Sequence, residues 1–305
     1  MITEPKLPAS CVVGQEARLD ATARVGEGAV IHGDVEIGAG VQVGRYCVLE
    51  GAPGRKTIIA PGSLLEDFVK VHPGVFLGEK SWVEAYTILG HPTKADLMGR
   101  DVSTTSERVR DLVIKEPKTV IGPGAVIRSH SVIYTHVEIG ASLVTGQGIM
   151  IREHTRIGDH CVFGTHASTD GYCRIGPMAH IGQYAQLSQS VRIGKGMFIG
   201  GHTVFSDNKQ AVRDVAEDLF GAIVEDYVRI GLGCVILPSV RIGARSLVGA
   251  GAVVTKDVPE RMLAYGNPAR ATRELTKEEE QKYLISVGFE DLEMPFDKLS
   301  KFLPP

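Results

Sequence analysis

Residues 121–205 read IGPGAVIRSHSVIYTHVEIGASLVTGQGIMIREHTRIGDHCVFGTHASTDGYCRIGPMAHIGQYAQLSQSVRIGKGMFIGGHTVF. A large apolar residue recurs at every sixth position: Ile121, Ile127, Ile133, Ile139, Ile151, Ile157, Phe163, Ile175, Ile181, Leu187, Ile193, Ile199 and Phe205. Only Thr145 and Thr169 interrupt the series. Two positions earlier the chain is mostly small or apolar, as at Val137, Leu143, Cys161, Cys173 and Ala185. Glycine commonly follows, as at Gly122, Gly140, Gly158, Gly176, Gly182 and Gly200. Positions i−2 and i of a strand point one way and i−1 the other. Glycine at i+1 permits a positive φ, so a bend is expected there. A short strand and a bend, repeated, form one side of a triangular coil, and hexapeptide periodicity is the signature of such solenoids. A helix repeats near 3.6 and an ordinary strand near 2, so neither explains the pattern.

The same phase opens the chain at Val13, Leu19, Val25, Ile31, Ile37, Val43 and Leu49. Four extra residues around Ala52–Lys56 shift it, and Ile59, Leu65, Val71, Leu77, Val83 and Leu89 continue. A polar excursion, 91–118, precedes the central block, and a second, 206–222, follows it. Long unpatterned loops in compact proteins usually serve function. Val224, Ile230, Ile236, Ile242, Val248 and Val254 close the repeat, giving 34 hexads, or about eleven three-sided rungs. The expected organisation is an all-β coil over 1–258 and a C-terminal segment over 259–305, with the repeat ending at Pro259. Thr276–Ile285 reads as a short helix, Thr276 its N-cap and Glu279 completing a capping box. The tail beyond Phe289 carries apolar residues suited to packing on the rod or on a neighbouring subunit.

A net charge of −3 with mixed signs provides no basic field for nucleic acid, and 6% aromatic residues leave few stacking platforms for single strands. No apolar run approaches the ~18–20 residues that span a bilayer. The first residues do not read as a secretory leader, so the expected location is cytoplasmic. Cys11, Cys47, Cys161, Cys173 and Cys234 all take the inward i−2 slot, which suits small core side chains rather than disulfides or a metal cage.

Val248–Arg270, VGAGAVVTKDVPERMLAYGNPAR, resembles the closing segment of the hexapeptide-repeat acyltransferases, and the likeness extends over nearly all of 13–270. The runs IREHTRIGDHCVFGT and FIGGHTVFSDN resemble a subgroup that includes N-acetyltransferases of nucleotide-linked amino sugars. The resemblance implies a left-handed parallel β-helix, a homotrimer with active sites between neighbours, and acetyl-CoA as co-substrate with no metal. It implies direct transfer to an amino-sugar acceptor in a ternary complex.

Acetyl transfer needs a base for the amine proton and a donor for the oxyanion. Many relatives place a His four residues before an Ile-Gly-Asp step. Here Ile157-Gly158-Asp159 is the matching step, and Glu153 holds that position with His154 beside it. Glu153 takes the polar role, or His154 does, or substrate and water carry the proton; both residues also suit solvated corners. His has the better-placed ordinary pKa. Asp207 and Asn208 open the second excursion and are candidates for the acceptor, or for an ordinary Asx turn. Arg108 and Arg110 in the first are candidates for an acceptor diphosphate. By the resemblance, Gly231, Gly249, Ala250 and Gly251 would line the coenzyme groove, with Lys256 and Arg270 on its phosphates.

Six histidines share the i+3 slot: His130, His136, His154, His160, His166 and His202. An eighteen-residue turn stacks His136 under His154. His130 and His166 also have the 36-residue spacing of the zinc-binding γ-class carbonic anhydrases, which share the fold, but the third-ligand position is Gly171. For His166 and His202 it is Asp207. That zinc enzyme, an O-acetyltransferase or acyltransferase on another small amine, and a non-catalytic scaffold are the alternatives.

Overall fold

The computed structural model of the chain describes residues 7–93, 118–208 and 221–285. Short strands wind into a three-sided parallel coil, every third strand joining the same sheet. The first face runs from Val12–Val13 to Val253–Val254, the second from Arg18–Leu19 to Arg241–Ile242, and the third from Arg24–Val25 to Leu247–Val248. Up to Val254 the described residues form 34 strands, one for each hexad. Register is that of an eighteen-residue rung: Ile139 pairs with Ile157, Ile157 with Ile175 and Ile175 with Ile193.

The hexad explains the core. Its i−2 and i side chains point inward, and pairs such as Val137 and Ile139, or Cys161 and Phe163, are buried. Each rung delivers such pairs from three faces to one axis, so a single apolar column runs from Ala23 to Ala269. Each fully buried Ile, Leu or Phe contributes about 1.5–3 kcal/mol. The two interruptions are buried as well. Their hydroxyls accept backbone N–H groups: Thr145 Oγ1 from Arg128 at 2.9 Å and Thr169 Oγ1 from Arg152 at 3.1 Å.

The glycines after the apolar residues serve a different purpose from the expected bend. Positive φ falls at i+3, where His136, His154 and His202 have φ of 57–58°. The i+1 glycines are required by close approach between rungs. A Cβ at Gly158 would lie 2.5 Å from Pro177 N, and one at Gly182 would lie 2.4 Å from Gly201 N. Real Cβ atoms do not sit that near backbone, so the stack itself selects glycine.

The rungs close over both excursions. Leu89 pairs with Ile133 across the first, and Phe205 with Ile236 across the second. The third face continues past Pro259. Met262–Gly266 adds in parallel to Leu247–Val248, and Ala269–Glu274 adds antiparallel to it. This hairpin covers an otherwise open sheet edge, and its antiparallel pairing does not follow the hexad period. The helix Lys277–Ile285 has the expected capping box: Glu279 N donates to Thr276 Oγ1 at 3.2 Å, and Thr276 N to Glu279 Oε2 at 2.9 Å. Among the described residues no helix is long and apolar enough to cross a membrane.

Candidate functional site

Every insertion into the coil leaves the same edge. The short insertion after Val48–Glu50, the first excursion after Ile88–His91 and the second after Val204–Phe205 all follow strands of the first face, where it turns into the second. Between the two excursions this edge is an uninterrupted bay. Its strands are Val132–Tyr134, Met150–Ile151, Ser168–Thr169 and Gln186–Leu187. Five strand spacings separate the excursions, about 24 Å.

The composition of this edge differs from the others. In the bay the i+1 position holds Tyr134, Arg152, Asp170 and Ser188, where the second face has Gly140, Gly158, Gly176 and Gly194. Side chains therefore replace the close backbone contact. Arg152 and Glu153 form a bidentate pair, Nη2 to Oε1 at 2.8 Å and Nε to Oε2 at 3.1 Å. The Glu153 side chain is only 14% exposed, which strengthens the pair relative to a fully solvated one. The Arg152 guanidinium also lies over the Tyr134 ring, 5.6 Å from its centroid. Burial opposes the Arg152 charge, while Glu153 more than restores it, and its pKa is raised.

One residue further on is a column of rings. His136 stacks on His154 with centroids 4.8 Å apart, and His154 on Tyr172 at 4.7 Å. Burial, and next the Glu153 charge, raise the Tyr172 pKa, so its phenol stays protonated at neutral pH. Tyr172 N donates to the Glu153 carbonyl at 2.9 Å. Gly171 permits this approach, since it has φ of 95° and a Cβ there would sit 3.0 Å from that oxygen. Beneath, Thr169 and Thr155 form a small polar layer in the core, so the second break in the sixfold pattern lies directly under Arg152. Asp170 is held by Gln186 Nε2 at 3.1 Å.

Comparison with known proteins agrees with this architecture. A profile described as bacterial transferase hexapeptide (six repeats) matches residues 221–256. Residues 221–256 thus carry the hexapeptide repeat of this transferase family. It is 36% identical over 98 residues to the galactoside O-acetyltransferase of Lactococcus lactis, a match covering 28% of this chain and 47% of the relative. It is 39% identical over 70 residues to the 2,3,4,5-tetrahydropyridine-2,6-dicarboxylate N-acetyltransferase of Staphylococcus aureus, covering 23% and 29%. The chain thus spans less than half the length of these relatives. Among solved structures, an Arabidopsis UDP-N-acetylglucosamine acyltransferase is 18% identical, covers 95% of this chain and 79% of that one, and has a TM-score of 0.46.

Within this hexapeptide coil, Glu153 and His154 lie together in the bay. Asp207 and Asn208 lie on the same edge three strands further along, about 14 Å away. There Asn208 N donates to Ser206 Oγ at 3.4 Å, an ordinary ST-type turn. The coenzyme candidates do not gather at one edge of the chain. Gly231 and Gly249–Gly251 form the corner from the third face to the first, whereas the exposed Lys256 follows the last strand of the first face. A Cβ at Gly231 would meet Ala250 N at 2.5 Å, and one at Gly249 would meet Tyr265 Cβ at 2.9 Å, so close stacking accounts for both. Arg270 is exposed in the hairpin, paired across it with Tyr265. Arg108 and Arg110 lie outside the described residues.

The remaining histidines divide by corner. His130, His166 and His202 line the third-to-first corner, and Tyr184 stacks between His166 and His202. Gly171 and Asp207 lie on the other side of the first face, so neither histidine pair gains its third ligand within the chain. Among the described residues no three His, Cys, Asp or Glu side chains converge as a metal site. A depression of about 460 Å³ lies on the third face near the start of the rod, lined by Arg24, Gln42, Leu64 and Asp67 among others. It lies away from the bay and holds no comparable cluster of catalytic groups. Sequence reasoning missed Tyr134, Arg152 and Tyr172. For Tyr134 and Arg152 the signal available was the unbroken loss of glycine at i+1 along the first face between the excursions.

Proposed function

We propose that this protein is an acetyltransferase that moves an acetyl group from acetyl-CoA to the amine of an amino sugar, in nucleotide-linked form, without an acetylated enzyme intermediate. The observation that carries the reading is the bay. The two long excursions frame a stretch of edge holding an anchored carboxylate, stacked imidazoles and a protonated phenol. The relatives bearing acetyltransferase names support the reaction class.

In this reading the amine attacks the thioester carbonyl. The N–C bond forms while the amine proton passes to a ring nitrogen of His154. The C–S bond then breaks and coenzyme A leaves as the thiol, recovering that proton. His154 suits the role because its ordinary pKa lies near neutrality. Glu153, fixed by Arg152, orients the amine. The Tyr172 hydroxyl is a donor for the developing oxyanion. Cys47, Cys161, Cys173 and Cys234 are buried and the half-buried Cys11 lies at the start of the rod, away from the bay, so none is placed as a nucleophile.

Self-association completes the proposal. Tyr46, Phe68, Tyr86, Tyr184 and Leu232 are exposed at the third-to-first corner, and Val144, Phe198, Val204 and Val235 on the flanking faces. The second face instead presents Arg18, Glu36, Arg156, Arg174, Arg192 and Arg241 outward. Exposed contiguous apolar surface of this kind marks an interface. A homotrimer packed through it leaves the charged face in water, and a copy against the first face walls the bay.

The test is thiol release from acetyl-CoA with a panel of nucleotide-linked amino sugars. Release that depends on both substrates and is lost in His154→Asn is expected. No release with any amine acceptor would remove the N-acetyl reading. The O-acetyltransferase likeness supports a second reading, transfer to a sugar hydroxyl, which would show release with hydroxyl acceptors lacking an amine.

A further inference from the structure

Beside the bay, the second face carries a ladder of arginines. Arg156 pairs with Arg174, and Arg174 with Arg192, on successive parallel strands, all three outward and exposed. Like charges directly opposite one another on neighbouring strands are destabilising. One carboxylate relieves the lower end, where Glu138 meets Arg156 at 3.0 Å. Further up, Arg241 is matched by Glu225 at 2.7 Å, and Asp226 is engaged by Lys195 at 3.8 Å. Among the described residues, Arg174 and Arg192 have no acidic partner. Arg174 is nevertheless held in place, since its Nη1 donates to the His154 carbonyl oxygen at 3.2 Å. Burial and the Arg156 charge lower its pKa, Glu138 opposes them, and Arg192 lowers it further. Among the described residues, two guanidinium groups on neighbouring strands thus lack a carboxylate partner, and Arg174 ties them to the corner that bears His154.

We propose that Arg174 and Arg192 form a seat for the diphosphate group of a substrate bound in the adjacent bay. Guanidinium forks recognise phosphate through paired charge-assisted hydrogen bonds. Two of them on strands about 4.8 Å apart suit an anion whose charge is divided over two adjoining phosphates. Only the identity of the molecule bearing the diphosphate rests on the acetyl-transfer reading. The seat itself is independent of turnover. Both a nucleotide-linked sugar and coenzyme A contain this group.

Inorganic pyrophosphate is the probe, titrated calorimetrically into the full-length protein at low and at physiological salt. The expected result is binding that weakens as salt rises, and that falls by about tenfold or more in Arg174→Gln and in Arg192→Gln. Arg241→Gln, whose arginine is already matched by Glu225, should bind as the parent does. Displacement of pyrophosphate by a nucleoside-diphosphate sugar assigns the seat to the acceptor, and displacement by coenzyme A assigns it to the donor. Equal pyrophosphate affinity in the parent, Arg174→Gln and Arg192→Gln proteins, all shown folded by circular dichroism, would overturn the proposal even if acetyl transfer were established.

Discussion

The imidazole of His154 lies on that of His136, 4.8 Å between centroids and 14° from parallel, each ring carried by a residue in the left-handed region one rung from the other. Tyr172 stacks on the opposite face of His154. The ring that would accept the proton is thus clamped on both faces. Replacing His154 by Asn should lower kcat by about 10²–10⁴, the usual contribution of a general base, with little change in the KM for acetyl-CoA. Steady-state thiol release decides this. Undiminished turnover would return the proton to substrate or water.

Glu153→Gln tests orientation separately. It removes the charge that holds Arg152 while leaving the imidazole column in place. A fall in kcat of up to about 10² is expected from misplacement alone, together with a higher acceptor KM. The pH profile should keep its shape if His154 is the base. A lost limb would transfer that role to Glu153.

The glycine columns predict unequal effects of adding one methyl group. At Gly158 the new Cβ would lie 2.5 Å from Pro177 backbone, and Gly158→Ala should cost about 1–3 kcal/mol. Gly40 has φ of 66° and nothing within 4 Å of the added atom. Gly40→Ala should cost only the left-handed penalty, about 1–2 kcal/mol. Chemical unfolding of the two variants measures both. A Gly158→Ala protein as stable as its parent would contradict rung-to-rung contact.

The buried thiols make stability fall in alkali. Burial raises Cys47 and Cys161 to about 11 and Cys173 to about 12, from an ordinary value near 9. A thiol whose pKa is raised in the folded state favours folding fully below pH 9, and that contribution is lost as pH rises through 11 to 12. Melting temperature should therefore drop between pH 8 and pH 11. In the native protein at pH 8, a thiol reagent should label the half-buried Cys11 first. Rapid labelling of all five would be inconsistent with inward slots.

At the C-terminal helix, Thr276→Ala removes the hydroxyl that receives Glu279 N, and loss of such a cap costs a helix about 0.5–2 kcal/mol. Hydrogen exchange should quicken across 277–285, while the melting of the rod stays unchanged. Arg273, and next the Thr276 N–H, hold the Glu279 carboxyl down to about 2. The box should therefore survive mild acid and open only as pH falls towards 2.

The coil was legible because its cause is local. An inward pair every six residues permits one winding, and the 34 hexads counted in the sequence correspond one to one with the described strands up to Val254. The capping box was legible for the same reason, as both partners lie within one helical turn. Glu153 and His154 were also visible as neighbours in sequence. Arg152, Tyr134 and Tyr172 were not, since each acts through a residue on its own or the next rung. The bend assigned to the i+1 glycines went to i+3, because the contact that selects those glycines is with the following rung and leaves no trace in local conformation.

The sequence by itself determined the period, the inward side chains and the single core, all consequences of which side of a strand a residue occupies. Only the tertiary structure decided that three insertions of different length leave one edge, and that Arg174 and Arg192 stand beside the histidine column. Parallel pairing restores register after each insertion whatever its length, so the positions that share an edge are fixed by stacking and not by separation along the chain.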